Sequence, residues 1–148
     1  MATAHQFEAR LSWHGGEGVA WGNHRVELAG RPPLEVSAAP QYKGDPSRVN
    51  PEELFVASLA SCQMLTYVAL AARAGITVVA YEDRATGTLA IADRKMRMTE
   101  VVLRPRITIA PGADQAKARA LVDSAHDGCF IANSVGCAVR VEPELLAG

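Results

Sequence analysis

The sequence predicts an α+β domain with antiparallel sheet, and three observations carry that prediction. A long helix, uncharged from Leu54 to Ala72, is capped at both ends. Segments on either side of it alternate apolar and polar residues or are rich in Thr, Val and Ile. A second, amphipathic helix falls between the later strands. Strands, long helix, strands, helix, strand is the order of an α+β fold rather than of an alternating parallel one.

The first strand is read from Phe7 to Trp13, where Phe7, Ala9, Leu11 and Trp13 alternate with Glu8, Arg10 and Ser12. That two-residue period is the mark of a half-buried strand. His14-Gly15-Gly16-Glu17-Gly18 is a turn, Val19 to Leu28 a second strand, and Leu34 to Ser37 a short third. Gln41 to Val49 carries Gly44, Asp45-Pro46 and Ser47 and reads as a loop.

Asn50 then offers an N-cap oxygen, Pro51 suits the first helical position, and Glu53 stands at the capping-box position. Gly75 closes this helix after six or seven turns. Thr77 to Ala92 and Thr99 to Ala110 read as two long strands joined by the charged turn Asp93-Arg94-Lys95, and Pro111-Gly112 breaks the pattern. A second helix starts near Asp114, with Ala118, Leu121, Val122 and Ala125 on one face, and Gly128 ends it. Cys129 to Val135 forms one or two helical turns, and Cys137 to Val141 a final strand. With no internal repeat or linker, the 148 residues read as one domain, 1–148.

Composition removes several function classes. The net charge is −1 and basic residues are not clustered, so neither a nucleic-acid footprint nor a polybasic membrane patch is expected. From Leu54 to Ala72 no residue is charged, a length close to that of a spanning helix. The segment is rich in alanine, contains Ser58, Ser61, Gln63 and Thr66, and has the cap of a water-soluble helix, so no membrane partner is expected. A helix apolar on nearly every side is instead a central one, covered by its own domain or by a partner subunit. The start of the chain lacks the basic and apolar regions of a signal peptide, and a cytoplasmic location is the expectation.

There are three cysteines, Cys62, Cys129 and Cys137, with no C-x-x-C among them. An odd number in a chain of this length does not suit a secreted disulfide scaffold. In a reducing compartment such residues either pack in the core or do redox chemistry. Cys62 lies mid-helix, so the dipole of its own helix is not what would activate it; a lowered thiol pKa would need groups from elsewhere. Cys129 follows Gly128 and by itself reads as structural, and Cys137 as core or a spare thiol. Glu52 and Glu53 favour the positive end of the helix. With Glu53 in the capping box, Glu52 is free for another role. His126 precedes Cys129 by three residues and reads first as a helix-end cation. His126, Cys129 and Cys137 make a poor zinc set, so no metal and no cofactor is expected.

The stretch Asn50-Pro51-Glu52-Glu53-Leu54, leading through Phe55-Val56-Ala57-Ser58-Leu59-Ala60-Ser61 to Cys62, resembles the signature of the OsmC/Ohr superfamily (osmotically inducible protein C and organic hydroperoxide resistance proteins). Ala125-His126-Asp127-Gly128-Cys129-Phe130-Ile131-Ala132-Asn133-Ser134-Val135 resembles its second segment. The resemblance implies an OsmC-like fold assembled as an intertwined homodimer. It also implies thiol peroxidase chemistry on organic hydroperoxides or hydrogen peroxide, with Cys62 as the peroxidatic and Cys129 as the resolving thiol. The reductant would be a dithiol, often a lipoylated protein. Glu52 corresponds to the glutamate that orients an arginine near the thiolate. Ten residues of helix separate Glu52 from Cys62, about 15 Å along the axis and on different faces. Glu52 would therefore act on the thiol of another copy or through an intermediary.

The sequence departs from the family at the arginine itself. The two positions that supply it in different branches are Glu17 and Gln41 here, with Arg25 and Arg48 as possible substitutes. That departure motivates an alternative reading, a non-catalytic or weakly active protein binding an apolar small molecule beside Cys62. An acyl- or thiol-transferring enzyme ranks below both, since no base or oxyanion site is evident.

Overall fold

The computed structural model describes residues 3–148. The chain forms two compact units that divide after Leu54.

The first unit holds a three-stranded antiparallel sheet in the order β1-β2-β3: β1 (Arg10–Ser12), β2 (His24–Glu27) and β3 (Leu34–Val36). All three strands are shorter than the alternation predicted. Arg10–Ser12 is exposed throughout rather than half-buried, and Leu11 and Trp13 remain 69% and 55% exposed. The Gly-rich segment after β1 contributes no ladder pairs, which is why the run from Val19 condenses to His24–Glu27. The expected loop before the helix contains one tight turn at Pro40–Tyr42, closed by Lys43 in the left-handed conformation (φ 63°).

The first helix, α1 (Pro51–Arg73), begins as predicted. The Glu53 N–H donates to Asn50 Oδ1 (2.9 Å) and the Asn50 N–H to Glu53 Oε1 (3.1 Å), a complete capping box. At the other end Gly75 takes φ 75°, the Gly75 N–H donates to the Ala72 carbonyl (3.2 Å) and the Ile76 N–H to the Ala71 carbonyl (2.9 Å). These are the paired bonds of a Schellman motif, and Gly75 can enter the left-handed region without a Cβ penalty.

The second unit, from Phe55, carries the rest of α1, two further sheets and α2 (Gln115–Gly128). Each of the two long predicted strands is broken in two. The first is β4 (Val78–Asp83) and β5 (Thr86–Ala92); the second is β6 (Lys95–Leu103) and β7 (Pro105–Ile109). β5 and β6 form a hairpin whose turn residues Asp93 and Arg94 both have positive φ (51° and 65°), as a type I′ turn requires. At the break the Arg104 N–H donates to Asp83 Oδ1 (2.7 Å) and the Arg104 guanidinium to Thr86 Oγ1 (2.9 Å), pinning the corner where the ribbon changes sheet. Pro105, which has no N–H, was the sequence signal for that corner.

The sheets are also mixed rather than antiparallel. β8 (Ala138–Val141) runs parallel to β6, and a last strand that the sequence reading did not include, β9 (Glu144–Ala147), runs parallel to β7. The orders are β4-β7-β9 and β5-β6-β8. Because α2 intervenes between β7 and β8, the chain returns to the edge of the sheet pointing the same way as β6, which is how a parallel pair is made.

Asp114 Oδ1 caps α2 by accepting from the Lys117 N–H (3.0 Å). One core joins Tyr67 and Ala71 of α1, Ile107 and Ile109 of β7, and Ala118, Val122 and Ala125 of α2. A second joins Leu59 to Val101 and Leu103, with Ile131, Val135 and Cys137 packed against it. The helices are cross-linked by buried polar bonds: Gln63 Nε2 donates to the Val122 carbonyl (3.2 Å) and the Tyr67 hydroxyl to the Ala118 carbonyl (3.0 Å). By length and composition α1 could cross a membrane. Here one stripe of it, Leu59, Gln63, Tyr67 and Ala71, is buried within the chain, while Leu65 and Val68 stand 62% and 39% exposed. The chain's own fold thus covers one side of the helix that its sequence marks as apolar all round.

Candidate functional site

Cys62 and Cys129 are brought together. Cys62 is half-buried in the middle of α1, and Cys129 is buried at the C-cap of α2, its N–H donating to the His126 carbonyl (3.3 Å). The end of α2 lies close against the middle of α1 there. Thr66, one turn beyond Cys62, stands so near Gly128 that a Cβ on the glycine would lie 3.7 Å from its methyl. Both thiols are free, and they lie near enough for each to bear on the other's ionisation.

The turn after Cys129 is fixed by its own bonds. The Cys129 carbonyl accepts from the Asn133 N–H (3.0 Å), the Ile131 carbonyl from the Ser134 N–H (2.9 Å), and the Phe130 carbonyl from the Ser134 hydroxyl (2.7 Å). Asn133 Nδ2 reaches back to the Asp127 carbonyl (3.0 Å). The Ala132 N–H points at the Cys129 sulfur (3.5 Å).

The two thiols are poised unequally. Burial alone would push the Cys62 thiol up, but hydrogen bonds from the Ile131 N–H, the Cys129 thiol and the Phe130 N–H outweigh it and hold Cys62 below the ordinary thiol range. The Thr66 hydroxyl also stands near, but its proton goes to the Cys62 carbonyl (2.8 Å) rather than to the sulfur. Burial pushes the Cys129 thiol up, and the hydrogen bond to Cys62 and the charge there push it further, against the Ala132 N–H. Ionisation is thus favoured at Cys62 over Cys129.

Among the described residues, His126 hydrogen-bonds neither sulfur, and its Nδ1 is buried without a partner. Cys137 packs beside the Leu59 core, in line with its expected role. In the first unit, Glu52 sits in the first turn of α1 with Oε2 buried and, among the described residues, unpartnered. Glu17 and Gln41 are exposed, and both candidate arginines are taken by one carboxylate. Arg25 Nε bonds Glu35 Oε1 and an Arg48 terminal nitrogen bonds Glu35 Oε2, each at 2.8 Å. Sequence reasoning did not single out Phe130 and Ile131, whose backbone N–H groups favour the Cys62 thiolate, because no residue type announces a backbone N–H.

A family model described as OsmC-like protein matches residues 44–144. Among solved structures, an OsmC-like protein of unknown function from Vibrio cholerae is 31% identical, with a TM-score of 0.88 over 95% of this chain and 99% of that one. An organic hydroperoxide resistance protein from Legionella pneumophila is 24% identical (TM-score 0.71; 98% and 99% covered). One from Elizabethkingia anophelis is 23% identical (TM-score 0.75; 100% of both chains). The last two share the fold. A comparison with curated proteins found no match.

Proposed function

The chain belongs to the OsmC-like protein family, and on that premise we propose that it is a thiol-dependent peroxidase acting on organic hydroperoxides in oxidative-stress defence. The observation that carries this reading is the pair of free thiols, Cys62 and Cys129, near enough to bear on each other's ionisation, which is favoured at Cys62.

The Cys62 thiolate attacks the outer oxygen of the peroxide. The O–O bond breaks, that oxygen stays on sulfur as a sulfenic acid, and the alkoxide leaves as alcohol after taking a proton. The Cys129 thiol then attacks the Cys62 sulfur. The S–S bond forms, the S–O bond breaks, and water departs with the Cys129 proton. A dithiol reductant, such as a lipoylated protein, restores both thiols by two exchanges. Phe130, 81% exposed beside Cys129, and Leu65, 62% exposed three residues beyond Cys62, offer an apolar rim that suits an organic tail better than hydrogen peroxide.

The working form we propose is a cytoplasmic homodimer. Leu65 and Val68 leave an apolar side of α1 that a second copy would cover. The unpartnered Glu52 carboxylate fits a glutamate that meets its partner across that assembly.

The test is peroxide consumption with dithiothreitol as reductant, using cumene hydroperoxide and hydrogen peroxide in parallel. Wild type should turn over the organic peroxide faster, and Cys62→Ser should be inactive. Equal rates for wild type and Cys62→Ser would remove the reading. It would yield to the alternative of an apolar-ligand binding protein if native mass spectrometry then showed a retained small molecule.

A further inference from the structure

Two buried side chains of α1 reach across to α2, and they do so in step. Gln63 Nε2 donates to the Val122 carbonyl (3.2 Å) and the Tyr67 hydroxyl to the Ala118 carbonyl (3.0 Å). Four residues forward on α1 are matched by four residues back on α2, so the bonds are successive rungs between antiparallel helices. Each rung uses the second lone pair of a carbonyl inside α2. Gln63 and Tyr67 are 1% and 0% exposed in the single chain, so their surroundings belong to the chain itself.

The rungs stand beside the thiols. Cys62 and Thr66 each precede a rung residue by one position, and Thr66 is the residue that meets Gly128 at the end of α2. The next step of the ladder along α2, four residues beyond Val122, is His126, whose carbonyl accepts the Cys129 N–H (3.3 Å). A slip of one residue would move one helix along the other by about 1.5 Å and turn its side chains by about 100°. A disulfide tolerates little of that, because it needs Cβ atoms about 3.5–4.5 Å apart.

Stability does not account for Gln63. A buried amide loses its water, and only Nε2 finds a replacement; Oε1 is buried with no partner among the described residues. A methionine of similar length would avoid that loss. What the amide adds over methionine is direction, since a hydrogen bond is made in one register and apolar packing can be made in several.

We propose that Gln63, with Tyr67 as the second rung, is a positioning residue: the ladder fixes the register of α1 against α2 that sets Cys62 opposite Cys129 for disulfide formation. The proposal rests on the reading of these two thiols as a redox pair, and not on peroxide as the oxidant.

The readout is the effective concentration of the pair in glutathione buffers, taken from the fraction of Cys62–Cys129 disulfide by peptide mass. The two thiols give up two electrons and two protons, and glutathione disulfide leaves as two glutathione molecules. Gln63→Met should lower the effective concentration about fivefold, the scale of one neutral hydrogen bond, while the melting temperature of the reduced protein equals or exceeds that of wild type. A purely structural role would move the two readings together. An unchanged effective concentration, or one that falls only with the melting temperature, would overturn the proposal.

Should Gln63→Met not fold, Tyr67→Phe deletes the other rung and keeps the ring, and Val122→Ala opens the same seam with both rungs intact. Tyr67→Phe should lower the effective concentration and Val122→Ala should not. Equal values for the two would overturn the proposal. A wild type that forms no Cys62–Cys129 disulfide would sink both the proposal and the resolving role of Cys129. Variants that behave as expected in a protein that consumes no peroxide would uphold the ladder and sink the peroxidase reading alone.

Discussion

The Cys62 and Cys129 thiols are shifted in opposite directions: hydrogen bonds, that of the Ile131 N–H foremost, favour Cys62 as a thiolate against its burial, while burial foremost holds Cys129 as a thiol. On the proposed function, that asymmetry would set the order of chemistry, with the Cys62 thiolate as nucleophile and the Cys129 thiol as proton carrier for the second step. Because the pair titrates together, its two protons are properties of the pair as much as of either residue.

Replacing Cys129 therefore should have two separable effects. In Cys129→Ala the Cys62 thiol loses a donor, so its alkylation midpoint moves up. After one equivalent of peroxide the sulfenic acid persists, and dimedone should trap it in the variant far more than in wild type. A wild-type yield of dimedone adduct would show that Cys129 is not the resolving thiol.

Asp83 offers a stability test with a defined sign. Burial raises its carboxyl above the ordinary value of 3.8, against the opposing Arg104 N–H. A group whose folded pKa is raised contributes stability below its unfolded pKa and loses it as pH rises through the folded value. Asp83→Asn keeps an acceptor for the Arg104 N–H and carries no charge. Its melting temperature should match or exceed that of wild type at pH 8, and the difference should turn against the variant as pH falls below 3.8. A variant less stable at pH 8 than at pH 3.5, relative to wild type, contradicts this.

The capping box at the head of α1 is a local element with a known scale. Asn50→Ala removes the acceptor of the Glu53 N–H and should cost about 1 kcal/mol in urea unfolding. Asn50→Asp should recover most of it. If alanine were neutral, the start of α1 would be held by tertiary packing alone.

The homodimer is tested on the uncovered side of α1. Leu65→Glu places a charge where we propose that a second copy packs, and should convert a dimer to monomer in sedimentation velocity at micromolar concentration. Wild type sedimenting as a monomer would remove the dimer outright. A dimer that survives Leu65→Glu would move the seam elsewhere.

The sequence alone determined the elements whose signals are local: the capping box of Asn50 and Glu53, the Gly75 stop, the Asp114 start of α2, and the hairpin turn at Asp93 and Arg94. Each depends on residues within a few positions of one another, so residue type is sufficient. The family resemblance likewise rested on two contiguous segments. What only the tertiary structure decided is how distant segments meet. The split of the long ribbon at Asp83 and Arg104, the parallel return of β8 and β9, and the pairing of Cys62 with Cys129 all depend on contacts between residues far apart in the chain. The groups that favour the thiolate were hidden for a further reason. A backbone N–H belongs to every residue except proline, and only its position distinguishes those of Phe130 and Ile131 from the rest.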